Sequence, residues 1–376
     1  MTAPHWQDAK NILCIRLDYL GDVLMMTPAI RALKNSLPGR RITLMTSSSG
    51  AAVARFIPEI DDVLVYAAPW MKSSDIHEPE VDFSMLQSLR LRNFDAAVVF
   101  TTYSQSPLPA ALLCYLAGIP LRLAHCHENP YRMLTDWVRD PEPQERVRHE
   151  VRRQLDLVAS VGCHTADERL SFRLQAEDIA WARECLHGFG IDDIRPWVVL
   201  HPGATAASRR YPPAHWAQVA NALARDGCRL IFTGSGDESA LIESIRLCVP
   251  QSHSLAGQLD LGKLAALISL APLVIANNTG PAHIAAAVGT PIVVLYALTN
   301  PQHTPWAVSS RVLFHDVACR FCYKSVCPQG HHECLTLVSP DKVVAAATEL
   351  LYEQRAKSGL TASVPPPDTW STLLPV

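Results

Sequence analysis

Several short segments of this 376-residue chain place acids, bases or anion-binding backbone directly after apolar runs. Leu17-Asp18-Tyr19-Leu20-Gly21-Asp22-Val23-Leu24 follows the run Ile12 to Ile15. Gly21 permits a tight turn, and Asp22 falls at the start of the next helix. A carboxylate there either caps the helix or points outward as a general base within reach of a substrate hydroxyl. Asn277-Asn278-Thr279-Gly280-Pro281-Ala282-His283 opens an Ala-rich helix after another apolar run. Helix-opening N–H groups have no intrahelical partner and bind phosphate well. Thr279 adds a hydroxyl, Gly280 allows close approach to the backbone, and His283 lies on the first turn. An ordinary capped strand-to-helix turn is the other reading.

Two more segments follow apolar runs in the same half of the chain. His201-Pro202-Gly203-Ala204 leads into Ser208-Arg209-Arg210-Tyr211-Pro212. Gly-containing backbone and adjacent arginines suit a diphosphate clamp, because guanidinium pairs with phosphate oxygens bidentately; the alternative is a solvated basic loop. Thr233-Gly234-Ser235-Gly236-Asp237-Glu238 lacks the third glycine of the dinucleotide fingerprint. Glu238 either bonds ribose hydroxyls or is a plain first-turn acid.

Elsewhere, Thr101-Thr102-Tyr103-Ser104-Gln105-Ser106 offers hydroxyls to a glycan or forms a polar loop. Arg139, Arg146, Arg148, Arg152 and Arg153, interleaved with Glu145 and Glu150, form either a solvated helix face or a contact for anionic lipid or an acidic sugar. Of the 11 cysteines, Cys14, Cys114, Cys126, Cys163, Cys185, Cys228 and Cys248 are scattered, often inside apolar runs, as buried free thiols would be. Cys319, Cys322, Cys327 and Cys334 cluster with His331 and His332, but Cys319-x-x-Cys322 alone has tight zinc spacing, so a metal is not expected.

Positioning these segments requires parallel α/β structure, because short apolar runs alternate with helical patterns twice along the chain. Strands are expected at Ile12 to Ile15, Ile42 to Met45, Val63 to Tyr66 and Ala96 to Phe100. A second set is expected at Trp197 to Leu200, Arg229 to Thr233, Leu273 to Ala276 and Ile292 to Tyr296. Helical periodicity covers Ala29 to Ser36, and Pro28 fits only where a helix kinks or begins. A mainly helical stretch is expected from about Asp136 to Phe189, including His149 to Val161 and Glu177 to Gly188. Residues 1–190 and 191–357 then form two doubly wound domains, with a Ser, Thr and Pro-rich tail at 358–376 read as flexible. Open α/β sheets bind ligands at the strands' carboxyl edges, so the active site should lie between the domains.

Composition excludes other classes. With 48% hydrophobic and 18% charged residues the chain is globular. A net charge of −3 gives no drive toward nucleic acid. No signal-like N-terminus appears, nor a run of about 18 apolar residues, so a cytoplasmic protein without a membrane span is expected.

Taken together, Gly21-Asp22-Val23, the basic loop after His201-Pro202-Gly203, and Asn278-Thr279-Gly280-Pro281-Ala282-His283 resemble the bacterial heptosyltransferase family of lipopolysaccharide core synthesis, glycosyltransferase family nine. The order and spacing match over about residues 11 to 350. The run Gly330-His331-His332-Glu333-Cys334-Leu335 resembles the heptosyltransferase II branch. The resemblance implies a GT-B architecture of two Rossmann-like domains facing a cleft, the N-terminal one taking the acceptor and the C-terminal one the nucleotide sugar. It implies inverting transfer with no metal and no cofactor, ADP-heptose or a similar nucleotide sugar as donor, and a lipid-linked envelope glycan as acceptor at the inner face of the plasma membrane. By motif position, Asp22 matches the general base, Arg209 a phosphate-binding lysine, and Thr279 and Gly280 the diphosphate turn. Glu238 matches the ribose carboxylate, Leu259 lies near the adenine pocket, and His283 matches the donor-helix histidine. Thr101 and Tyr103 fall on the acceptor side. Asn278 stands where the family usually has an acid, and Arg209 replaces lysine, so the sugar is read as a heptose or a relative of it. An epimerase or hydrolase is the other enzyme class open to such folds, and a non-catalytic nucleotide-sugar binder the non-enzymatic one.

Overall fold

A computed structural model describes residues 4–72, 77–191 and 195–357. The tail at 358–376 and part of the expected boundary at Ile191 to Pro196 lie outside the described residues. The first half forms strands β1 (Asn11–Arg16), β2 (Arg41–Thr46), β3 (Asp62–Val65), β4 (Ala96–Val99), β5 (Leu121–Cys126) and β6 (Asp136–Arg139). The second forms β7 (Trp197–His201), β8 (Arg229–Phe232), β9 (His253–Ser254), β10 (Val274–Asn277), β11 (Ile292–Leu295) and β12 (Ser310–Leu313). Each set makes one parallel sheet, ordered β3-β2-β1-β4-β5-β6 and β12-β11-β10-β7-β8-β9. Both have the doubly wound Rossmann order. The strand order reverses between β1 and β4 in one sheet and between β7 and β10 in the other, which puts the loops after these four strands at the two switch points, with the Thr233 to Glu238 loop one strand away, after β8.

The central strands are covered on both faces, which explains their unbroken apolar runs: Ile12 to Ile15 and Val198 to Leu200 are buried throughout. β5 was hidden from pattern reading because Arg122 and His125 interrupt it. Both are buried with partners further along the chain: Arg122 Nε donates to the Met133 carbonyl at 2.8 Å, and His125 Nε2 lies 3.1 Å from the Arg153 carbonyl. Asp136 to Arg139, expected in a helical stretch, is instead the edge strand β6, with the alternating exposure of a sheet border. β9 and β12 are likewise short outer strands that carry no apolar run.

The helix expected at Ala29 to Ser36 runs Thr27–Asn35 with Pro28 in its first turn, after a separate short helix Leu20–Met25. One continuous apolar cluster joins the halves, from Ile12, Val23 and Leu24 to Trp197, Val199, Ala282 and Ile284. Helix Ala176–Gly188 packs on helix Leu261–Leu270 of the second half. At the centre of the seam, helix Leu20–Met25 meets helix Gly280–Val288. A Cβ on Gly21 would lie 2.6 Å from the His283 ring, and one on Gly280 3.0 Å from Leu20. The paired glycines let these helices touch. No helix among the described residues is long and apolar enough to cross a membrane.

Candidate active site

Arg16, at the end of β1 and fully buried, organises the N-terminal side. Its guanidinium lies 2.8 Å from Asp18, 3.2 Å from Asp22 and 2.7 Å from Glu150. Gln105 donates to Asp18 at 2.6 Å, and Gln154 donates to Glu150 at 2.7 Å and to the Thr101 carbonyl at 3.0 Å. Asp22 Oδ2 also accepts the Tyr19 N–H at 3.2 Å. The cap and the cleft-facing role are therefore compatible, one oxygen serving the helix and the other facing Arg16. Burial raises the Asp22 carboxyl, but Arg16, His303 and His283 outweigh it and hold the group below its ordinary range. Asp18 goes the other way. Burial and the neighbouring Asp22 and Glu150 charges exceed the pull of Arg16 and push it up to about 6.

The C-terminal side faces this cluster. Asn277, fully buried, donates to the Pro202 carbonyl at 2.7 Å and accepts the Tyr211 N–H at 3.3 Å, tying the basic loop to β10. Arg209 Nη1 donates to the Asn278 carbonyl at 3.4 Å, and its charge reaches His283 and His303. Thr279 is the N-cap of the nine-residue helix Gly280–Val288 and makes no side-chain cap bond; Pro281 has no N–H and the Ala282 N–H bonds the Thr279 carbonyl at 3.0 Å, so the Gly280 N–H is the donor of this turn that can meet an anion. His283 is buried, and burial together with His303 lowers it to about 3, so the ring is neutral. Neither polar atom of the Asn278 amide has a hydrogen-bond partner.

Across the seam, Thr101 Oγ1, Glu150 Oε2, Gln154 Oε1, both Asn278 amide atoms, Gln302 Oε1 and His303 Nε2 are buried without a hydrogen-bond partner. Each such atom costs about 1–3 kcal/mol when left unpaired. A polyhydroxylated ligand supplies complementary donors and acceptors, whereas an apolar one does not.

The profile of glycosyltransferase family 9 (heptosyltransferase) matches residues 83–332, more than half of the chain. The chain belongs to glycosyltransferase family 9. Lipopolysaccharide heptosyltransferase 2 of Escherichia coli (strain K12) is 26% identical over 364 residues, covering 92% of this chain and 100% of that protein. Among solved structures, a family 9 glycosyl transferase from Veillonella parvula DSM 2008 superposes with a TM-score of 0.74 at 23% identity, covering 94% of this chain and 100% of that one. The E. coli ADP-heptose lps heptosyltransferase II superposes at 0.71 and 23% identity, covering 92% and 99%. The two facing Rossmann-like domains are the GT-B architecture of these glycosyltransferases.

Not every residue singled out in the sequence reaches this family 9 cleft in the expected way. Arg210 is no clamp: it is exposed and turns back to its own loop, donating to the Ala204 carbonyl at 2.8 Å. Glu238 accepts the Ser235 N–H at 2.8 Å in a capping box and also abuts Gly203 of the basic loop, so it serves its own turn beside that loop. Leu259 is half-buried just before helix Leu261–Leu270. Tyr103 lines a cavity of about 480 Å³ with Ser104, His127, Arg139 and Asp140. Thr101 is buried at the end of β4, its carbonyl taken by Arg153 and Gln154.

The basic zone is not a lipid-facing surface as a whole. Arg148 and Arg153 are drawn inward by Glu142 at 3.0 and 2.8 Å, and Arg152 pairs with Glu168 at 2.5 Å, leaving Arg139 and Arg146 exposed. Among the scattered cysteines, Cys248 is exposed and Cys185 half-buried, contrary to expectation; all 11 are free. Cys319 Sγ lies 3.7 Å from His331 Nε2, and among the described residues no group of three or more His, Cys, Asp or Glu side chains is arranged to hold a metal ion. The Cys-rich segment acts as a strap. Its Ser325 and Lys324 carbonyls accept from Ser208 at 3.0 and 2.8 Å, and Tyr323 packs edge-on against Tyr103 at 5.8 Å.

Arg16, Asp18, Glu150, Gln154 and His303 were missed in the sequence. Arg16 and Asp18 carried a weak signal, since they sit between an apolar run and Gly21-Asp22. Glu150 looked like part of a charged surface, and His303 belongs to a loop with no motif.

Proposed function

We propose that this glycosyltransferase moves a heptose, or a closely related sugar, from ADP-heptose or a similar nucleotide sugar to a lipopolysaccharide-core or other lipid-linked envelope glycan. Transfer inverts the anomeric centre, uses no metal, and takes Asp22 as general base. The observation that carries this reading is the opposition of Asp22 at one switch point to Arg209 and the N-terminus of helix Gly280–Val288 at the other. Family membership and the names of the relatives, which pair ADP-heptose with lipopolysaccharide, support the substrates.

The chemistry follows from the charges. Asp22 is ionised over the working range and accepts the acceptor's proton as the new C–O bond forms and the hydroxyl becomes acidic. Charge develops on the departing diphosphate at the far end of the same axis, where Arg209 and the positive end of helix Gly280–Val288 stabilise it. Glu238 and Leu259 border the nucleoside end. Tyr103 and its cavity take the acceptor, and the exposed Leu112, Tyr115 and Leu116 on helix Leu108–Leu116 support contact with the membrane that carries it.

Calorimetry with ADP-heptose, GDP-sugars and UDP-sugars tests the donor. One tight binder is expected, weakened by Arg209→Ala. By analogy with oxyanion donors the loss of that cation costs about 2.7–4 kcal/mol of barrier. Asp22→Asn should bind the donor normally and lose about 10²–10⁴-fold in kcat. Silence across the panel, or full turnover by Asp22→Asn, sinks the assignment.

A further inference from the structure

The loop after β11 brings His303 to the reacting end of the cleft, and no role above uses it. Its N–H donates to the Tyr296 hydroxyl at 3.2 Å, the Gln302 N–H donates to the Asn300 side chain at 2.7 Å, and the Gln302 carbonyl accepts the Glu150 N–H of the other domain at 3.0 Å. The loop is thus fixed from both domains. His303 is 9% exposed, and its Nε2 is buried with no hydrogen-bond partner. Asp22, Glu150 and Arg16 act on the ring from the N-terminal domain and Arg209 from the C-terminal one.

In an in-line displacement the base and the leaving group stand at opposite ends of an axis through the anomeric carbon. His303 follows Gln302, which is bonded to Glu150 of the Arg16–Asp22 cluster, and is itself bonded to Tyr296 of the C-terminal domain, which places the side chain between the two ends and beside that carbon. We propose that the His303 imidazole hydrogen-bonds a hydroxyl of the transferred sugar next to its anomeric carbon. Burial lowers the proton affinity of the ring, and a neutral imidazole offers one N–H and one lone pair, which suits a hydroxyl better than a phosphate. The unpartnered Asn278 amide lies on the same domain, near the same donor turn. This inference rests on the assignment of Asp22 and Arg209 to the two ends of the reaction.

The test compares His303→Phe, which keeps a ring and loses both nitrogens, with His303→Gln, which restores a polar N–H near the Nε2 position. Affinity for ADP-heptose and kcat should each fall about 10- to 100-fold in His303→Phe. Affinity for ADP, which lacks the sugar, should not change, and His303→Gln should recover most of the loss. Unchanged ADP-heptose affinity and turnover, or an equal loss of ADP affinity, would overturn the proposal. If His303→Phe does not fold, His303→Ala against His303→Gln is judged by the same criteria. Asp22→Asn in parallel separates the two readings: full activity there overturns the mechanism and this inference with it, whereas an inactive Asp22→Asn beside a normal His303→Phe overturns this inference alone.

Discussion

Arg16 places one buried cation among the carboxylates of Asp18, Asp22 and Glu150. One guanidinium cannot neutralise them all in a poorly solvated site, so one carboxyl takes up a proton more readily than usual. Asp18 is that group, while Asp22 is held below its ordinary range and stays charged. Proton uptake is thereby directed away from the base. Because the folded-state value of Asp18 is raised, its contribution to stability is fully present below the ordinary carboxylate range and is lost as pH rises through about 6. Asp18→Asn, which cannot ionise, should therefore gain on the parent between about pH 4.5 and about pH 7.5, by about 1–3 kcal/mol. Urea unfolding at the two pH values measures the gap; a gap that is constant, or that narrows toward high pH, would contradict this charge distribution.

The helices Leu20–Met25 and Gly280–Val288 approach closely because each presents a glycine to a side chain of the other. Backbone freedom is not the reason, since it is the missing Cβ that matters. Gly21→Ala should force the buried His283 ring to shift, lowering stability by about 1–3 kcal/mol and disturbing the donor turn. Gly188→Ala, where nothing lies within 4 Å of the added carbon, is the control and should leave both properties intact. Thermal unfolding and kcat/KM of the two variants decide the matter: a Gly21→Ala protein as stable and as active as the parent would mean that the contact is slack.

The two domains are held by polar ties as well as by the shared apolar cluster. His149 Nε2 donates to the Thr304 carbonyl at 2.8 Å, Trp306 Nε1 donates to the Glu168 carbonyl at 2.8 Å, and the His149 and Trp306 rings lie 4.5 Å apart. Trp306 is half-buried, so Trp306→Ala should cost about 2 kcal/mol, less than the 3–5 of a fully buried Trp. In the proposed function the loops that hold the nucleotide belong to one domain. ADP-heptose affinity should therefore survive while turnover falls, as calorimetry and steady-state rates would report; parallel losses in both would assign Trp306 to the donor domain's own integrity.

Hydrophobic periodicity by itself determined the repeated parallel architecture, the central strands and the break at Pro28, because strands covered on both faces must be apolar throughout. Motif order determined the family, and chain position put Asp22, Arg209 and the Asn278 to His283 turn at strand ends. Tertiary structure decided the rest. Edge strands such as Asp136 to Arg139 carry no apolar run because one side faces water, and Arg122 and His125 sit inside a buried strand because distant carbonyls satisfy them. Arg148 and Arg153 look like surface charge until Glu142 is seen beside them. Glu150 and His303 join the site through partners far along the chain, and Asn277 proves a structural tie rather than a ligand. Whether a polar side chain is paired or left open to a substrate depends on what the fold brings to it, and local sequence does not encode that partner.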